Sequence, residues 1–271
     1  MTAMNRLSAA FARARAEKRK ALVIYLTAAD PDLDTSRRLL VAAARAGADV
    51  LELGMPWSDP SADGPAIQQA MLRALKSGGG LRSSLELCRS VRQEIPETPI
   101  VLFGYANPIF VRGPAAFAGA ARDAGADAVL CVDWPPDEAG ELTSALRAQN
   151  IDFIPLLAPT STPQRIRAIG AEASGFLYYV SFTGITGRTL SDLEAPKKHV
   201  AEIRLLTGNR LPIAVGFGIS TPAQAKAVAE FADAVVVGSA AVKIIEKAAA
   251  EGRDPVPAME EFVASLRAAL G

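Results

Sequence analysis

Two carboxylates are placed for acid–base chemistry. Glu52 interrupts the apolar run Val50-Leu51-Glu52-Leu53-Gly54, and Asp63 follows eleven residues later in Pro56-Trp57-Ser58-Asp59-Pro60-Ser61-Ala62-Asp63-Gly64-Pro65. In an extended strand Glu52 projects to the opposite side from Leu51 and Leu53. A carboxyl among apolar side chains is costly unless it is paired or kept neutral. Read singly, Glu52 is either half of a buried ion pair or a working group whose pKa desolvation raises toward neutrality. Asp63, just ahead of Pro65, reads as a helix cap when taken alone. Asp59 shares its turn. The chain has one histidine, His199, in a Lys-rich stretch beside Lys197 and Lys198. Acid–base work therefore falls on Asp and Glu.

A second set of residues suits an anion. Gly216-Phe217-Gly218-Ile219-Ser220 runs into Thr221-Pro222, and Gly238-Ser239 runs into a helical stretch at Ala240. Glycines let backbone N–H groups approach a phosphate, and a helix N-terminus adds a favourable dipole. A third set is aromatic or apolar and lies near strand ends: Tyr25, Tyr105, Leu130, Tyr178 and Phe217. Together they would wall a flat apolar group. Carboxylates, an anion cradle and an aromatic slot point to a phosphorylated substrate with an aromatic head.

The elements that position these groups repeat. Eight apolar runs read as strands: 21–28, 49–56, 99–106, 128–135, 152–159, 176–182, 212–218 and 234–239. Their near-continuous hydrophobicity suits strands covered on both faces. Ala-rich helical stretches such as 33–46, 113–124, 137–149 and 221–230 alternate with them, which implies a parallel sheet. Ala46-Gly47-Ala48-Asp49, Ala124-Gly125-Ala126-Asp127 and Phe231-Ala232-Asp233 each precede a strand, an echo of one repeating unit. The expected fold is a single (β/α)8 TIM barrel, 1–271, with extra helices. Leu7, Ala10, Phe11 and Ala14 add an N-terminal amphipathic helix over the barrel floor. The glycine-rich fingerprint that an open doubly wound sheet often carries after its first strand is missing. Residues 57–98 should hold two helices, and 183–195 form a polar loop. Both follow strands, so both belong to the mouth where barrel sites sit.

Composition excludes several classes. Lys plus Arg and Asp plus Glu are both 29, so there is no net field to draw nucleic acid or an anionic membrane. No apolar run reaches the roughly 20 residues needed to span a bilayer. Cys88 and Cys131 match no zinc or redox spacing, no metal site is expected, and Cys131 reads as buried and inert. A cytoplasmic location is expected.

The chain resembles the tryptophan synthase α subunit family over essentially its whole length. The most specific match is Leu51 to Gly64, with its Glu and Asp eleven apart. Thr27-Ala28-Ala29-Asp30-Pro31, Tyr105-Ala106-Asn107-Pro108, Thr183-Gly184-Ile185-Thr186-Gly187, Gly216 to Ser220 and Gly238-Ser239 support it in order. The resemblance implies cleavage of indole-3-glycerol phosphate to indole and glyceraldehyde 3-phosphate, with no cofactor in this chain. It implies Glu52 as the proton shuttle and Asp63 as the partner of the indole N–H. Tyr25, Leu130, Tyr178 and Phe217 match the indole walls, Thr186 a lid residue, and Gly187, Gly218, Gly238 and Ser239 the phosphate site. It further implies an α2β2 assembly with a pyridoxal-phosphate β subunit. Trp57, Ser61 and Ala29 depart from the usual Phe, Tyr or Cys, larger aliphatic residue, and Gly. Phe103 and Tyr25 make the mouth more aromatic. The same residues suit a free-standing lyase, a non-catalytic activator of a β subunit, or another phosphate-binding barrel such as a sugar-phosphate isomerase.

Overall fold

A computed structural model describes residues 5–135, 138–180, 193–216 and 218–271. Its strands are β1 (Ala21–Thr27), β2 (Val50–Gly54), β3 (Ile100–Gly104), β4 (Ala128–Cys131), β5 (Asp152–Phe153), β6 (Leu156–Leu157), β7 (Leu177–Val180), β8 (Ile213–Gly216) and β9 (Ala234–Val237). All pair in parallel, in the order β5-β4-β3-β2-β1-β9-β8-β7-β6. β5 and β6 are the two halves of the single strand expected over 152–159. Pro155 has no N–H to give and divides them. Ile154 N–H still donates to Val129 O at 2.9 Å, and Pro155 O accepts from Tyr178 N–H at 3.2 Å. One chain segment thus bonds β4 on one side and β7 on the other, and the ring closes.

Alternation along the strands makes two cores. Val23, Tyr25, Val50, Val101, Phe103, Leu130, Ala214 and Val236 face inward and pack together. Leu22, Ile24, Leu51, Leu53, Leu102, Val129, Val215 and Val237 face outward against the helices. That outer layer is α2 (Leu33–Arg45), α3 (Pro65–Lys76), α4 (Leu81–Glu94), α5 (Ala106–Arg112), α6 (Pro114–Ala124), α7 (Gly140–Ala148), α8 (Pro163–Glu172), α9 (Glu194–Leu206), α10 (Pro222–Ala229), α11 (Ser239–Ala250) and α12 (Val256–Ala269). The N-terminal helix α1 (Arg6–Ala16) buries Leu7, Ala10, Phe11 and Ala14, as its periodicity predicts. Phe11 meets Phe176 with ring centroids 5.6 Å apart. Asn5 starts α1 by accepting from Ser8 N–H and ties it to the barrel by donating to Asp152.

The sequence echo before the strands has a structural cause. Gly47 and Gly125, at φ 111° and 82°, turn the chain out of α2 and α6. The aspartate at the end of each echo exchanges bonds with the preceding strand. Asp49, Asp127 and Asp233 accept the N–H of Leu22, Ile100 and Ile213 at 2.9, 2.8 and 2.9 Å. Each also holds a guanidinium: Arg19 at 2.7 Å, Arg92 at 2.6 Å and Arg204 at 2.8 Å. These pairs fasten the strands at the floor, the end opposite the mouth.

One helix is missing from the sequence reading. β3 stops at Gly104, and α5 follows where the strand was expected to run on to 106. Its first N–H, on Ala106, is taken by Asp133 Oδ1 at 2.7 Å, a cap supplied from a distant loop. His199 stacks on Tyr179 at 5.2 Å. Tyr179 alternates with the inward Tyr178, so the pair lies behind β7. Both cysteines are buried and free, and burial pushes the Cys88 thiol up to about 12. Among the described residues no helix is long and apolar enough to cross a membrane, and no cluster of three or more His, Cys, Asp or Glu side chains is arranged to hold a metal.

The floor pairs predict a stability contrast. Asp127→Ala strands the Arg92 guanidinium and the Ile100 N–H, and should cost about 3–5 kcal/mol. Asp123→Ala, which removes only the exposed Arg122–Asp123 pair, should cost less than about 1 kcal/mol. Urea unfolding of both variants measures the difference, and equal midpoints would refute the fastening role.

Candidate active site

Glu52 is the middle residue of β2 and points into the barrel. It is 0% exposed, and neither carboxylate oxygen has a hydrogen-bond partner among the described residues. The ion-pair reading therefore does not apply. Burial alone pushes its carboxyl from the usual 4.5 up to about 8. A neutral acid is the form this site holds near pH 7.

Asp63 hangs from the loop after β2. The helix-cap reading does not apply either: Gly64 is the N-cap of α3 and Pro65 its first residue. The Asp63 carboxylate instead accepts from Tyr105 Oη at 2.7 Å. Tyr105 Oη accepts in turn from Ala62 N–H at 3.1 Å, so one phenol from the end of β3 pins the loop twice. Burial raises the Asp63 pKa and the Tyr105 bond lowers it, leaving it at about 6. Burial and the neighbouring carboxylate hold Tyr105 protonated. Asp59 lies outside, exposed, and bonded by its neighbour Ser58.

Glu52 and Asp63 share one cavity of about 360 Å³ at the C-terminal mouth. Tyr25 and Tyr178 line it as well. Their phenols are held protonated, first by burial and then by the field of Asp63 and Glu52. Each ring needs a glycine on the next strand. A Cβ on Gly54 would sit 2.2 Å from Tyr25 Oη, and one on Gly216 would sit 2.6 Å from Tyr178 Oη.

The far wall of the cavity carries Gly218, Gly238 and Ser239. Two helices begin nearby, and they differ. α10 closes its own N-terminus: Thr221 accepts from Gln224 N–H, and the Gln224 side chain returns to the N–H groups of Ser220 and Thr221. α11 starts at Ser239 with Gly238 as N-cap and no side-chain cap bond. Its leading N–H groups are the ones left for an anion in the cavity.

Seven of the residues singled out in the sequence meet at this cavity: Glu52, Asp63, Tyr25, Tyr178, Gly218, Gly238 and Ser239. Leu130 is buried in the barrel interior beside Phe103 in register, but it does not line the cavity. Thr186, Gly187 and Phe217 lie outside the described residues. Ile67, Val132, Leu156 and Val236 line the cavity without having been selected, and Phe103, noted in the sequence only as making the mouth more aromatic, lines it too. For Phe103 the signal was inward parity, two residues beyond Val101.

The family model for the tryptophan synthase alpha chain matches residues 11–270. The chain belongs to the tryptophan synthase alpha chain family. The alpha chain of Burkholderia thailandensis is 49% identical over 267 residues, covering 98% of this chain and 97% of that one. The alpha chain of Zymomonas mobilis is 45% identical with the same coverage. The crystal structure of tryptophan synthase subunit alpha from Legionella pneumophila superposes with a TM-score of 0.92, at 39% identity and 99% coverage of both chains.

The family's usual glycine beside Asp30 also finds a reason. Ala29 stands there with φ 62°, a left-handed conformation that costs a side-chain-bearing residue about 1–2 kcal/mol. Ser77 Oγ donates to its carbonyl at 2.7 Å, and the buried Asp30 is clamped by Arg73 at 2.8 and 2.9 Å. These bonds hold the turn in place.

The unpaired carboxyl predicts a pH-dependent stability. Glu52 binds its proton up to about pH 8 when folded, and only to about 4.5 when unfolded. Its contribution is therefore fully present below pH 4.5 and lost as pH rises through 8. At about 1.4 kcal/mol per pKa unit, that loss is on the order of 5 kcal/mol. Glu52→Gln cannot ionise, so its unfolding free energy should lose less between about pH 5 and pH 9 than the wild type's. Parallel pH slopes in urea titrations would show that Glu52 is not held neutral.

Proposed function

We infer that this chain is a carbon–carbon lyase that cleaves indole-3-glycerol phosphate to indole and glyceraldehyde 3-phosphate, the alpha reaction of tryptophan synthase in tryptophan biosynthesis. The observation that carries the reading is a single cavity joining three things: an unpaired neutral acid, a separately held carboxylate and an uncapped helix N-terminus.

The chemistry follows from their states. Indole leaves poorly until its C3 is protonated. Glu52, neutral at rest, gives its proton to C3. Asp63, ionised above about pH 6, accepts the indole N–H and stabilises the positive charge that spreads to nitrogen. The resulting Glu52 carboxylate takes the proton of the glycerol hydroxyl. The C–O bond becomes a carbonyl, and the electrons of the breaking carbon–carbon bond return to the ring. Glu52 ends protonated, ready for another turnover. The N-terminus of α11, with Gly218, Gly238 and Ser239, takes the phosphate and fixes the distance between it and the reacting carbon. Tyr25 and Tyr178 flank the ring.

We take the chain, 1–271, as one cytoplasmic barrel domain working with a pyridoxal-phosphate β subunit in an α2β2 assembly, with no cofactor of its own. Phe110 and Val111 on α5 support a docking face, being 69% and 78% exposed. Tyr105, the residue that pins Asp63, is the N-cap of that same helix.

Two tests follow. Glu52→Gln and Asp63→Asn should each lower indole release from indole-3-glycerol phosphate by about 10²–10⁴-fold, with circular dichroism unchanged. Wild-type kcat/KM should be bell-shaped, falling below about 6 as Asp63 is protonated and above about 8 as Glu52 ionises. Retention of near wild-type turnover in either variant would remove the assigned role. Titration with a β subunit should raise cleavage, and Phe110→Ser should raise the β concentration needed for half-activation about tenfold or more. Full activity without β, unchanged by adding it, would instead mark a free-standing lyase.

A further inference from the structure

Glu52 forms part of the cavity floor, yet it offers no accessible area. The neighbours on the flanking strands explain why. β2 lies between β1 and β3 in the sheet. Tyr25 is the register partner of Glu52 on β1, and Val101 is its partner on β3. The next inward position on β3 is Phe103, which pairs with Gly54. The rings of Tyr25 and Phe103 meet edge to face, with centroids 5.1 Å apart and planes at 76°. Two side chains that touch each other from β1 and β3 must cross the inner face of β2. They cross it at Gly54, where a Cβ would lie only 2.6 and 2.8 Å from Tyr25 Cζ and Cε2. That crossing sits one inward step from Glu52 toward the mouth.

We propose that Tyr25 and Phe103 act as positioning residues: their ring pair, seated on Gly54, roofs Glu52 against water from the mouth and leaves its carboxyl open only toward the barrel axis, where the scissile carbon must come. The proposal rests on Glu52 being the acid–base group. The Tyr25 hydroxyl is engaged elsewhere, 3.2 Å from Thr27 Oγ1, so the ring and not the hydroxyl makes the roof. The other titratable groups facing Glu52 are Tyr178 from β7 and Asp63 from the loop after β2. β3 presents only Val101 and Phe103. Bulk water excluded by two rings is the physical source of the carboxyl's neutrality.

The test reads the carboxyl directly. The full chain is labelled with ¹³C at glutamate carboxyls, the Glu52 resonance is assigned by its loss in Glu52→Gln, and its titration is followed in the free protein alongside the alkaline limb of kcat/KM. The wild-type midpoint should lie near 8. Phe103→Ala and Tyr25→Ala should admit water and lower it by about one pH unit or more, a tenfold or greater loss of proton affinity. Tyr25→Phe keeps the ring and should keep the midpoint. Should an alanine variant not fold, Phe103→Val opens a smaller gap and should shift the midpoint in the same direction. Alanine variants that titrate with the wild type would overturn the roof, as would Tyr25→Phe shifting as far as Tyr25→Ala. A shifted carbon titration without a shifted kinetic limb would support the roof while overturning the acid–base role of Glu52.

Discussion

A closed barrel leaves a side chain on β2 two directions, out to the helices or in to the axis, and strand alternation assigns Glu52 to the axis. The carboxyl then lies in an apolar interior with no partner among the described residues. That single constraint shapes the site. An ion pair would have stabilised the ionised form and made the group a poor proton donor near neutrality. Leaving it unpaired costs stability as pH rises, and in exchange the fold holds a carboxyl that is neutral near pH 7. The glycines at 54 and 216 belong to the same arrangement. They make room for the aromatic rings that surround the acid, where any larger residue would displace them.

Stability and chemistry sit at opposite ends of the strands. The floor holds the aspartate–arginine pairs, each satisfying a strand N–H and a half-buried guanidinium. The mouth holds the Glu52 oxygens, which have no partner among the described residues, the N-terminus of α11, which has no side-chain cap bond, and a left-handed Ala29. Orphan polar groups are destabilising where they stand. The fold tolerates them because ring closure through 152–157 and the fastened floor fix the strands independently of the loops above. The exposed part of the loop, 57–64, can then be held by hydrogen bonds from Tyr105 and Gln68.

Much of this was legible in the sequence because it depends on period and parity. Alternation alone placed Glu52 inward, and Gly-x-Asp marked the return to the sheet before β2 and β4. What was not legible depends on partners distant in sequence. Asp63 looked like a cap for α3 until Tyr105, from another strand, was seen to hold it. α5 was hidden because its cap, Asp133, lies on the loop after β4. The choice between α10 and α11 as the anion site turned on Gln224, whose side chain closes one helix end and leaves the other open. Phe103 had the right parity, but its importance came from touching Tyr25 across β2, which no single strand pattern reveals.

Tyr105 joins two parts of the mouth that lie apart in the sequence, the loop of Asp63 and α5. Its hydroxyl bonds Asp63 and the backbone of Ala62, and its own backbone is the N-cap of α5, the helix that carries Phe110 and Val111 outward. Ala106, the next residue, is held by Asp133. A partner that presses on α5 therefore acts on a rigid, short element whose first turn is fixed at both its cap and its first N–H. Displacement of Tyr105 by even a few tenths of an ångström alters a 2.7 Å bond to the carboxylate that must stay ionised. Loss of that bond would raise the Asp63 pKa above about 6, since the bond is what opposes burial. The bond to Asp63 and the start of α5 thus meet in one residue, Tyr105.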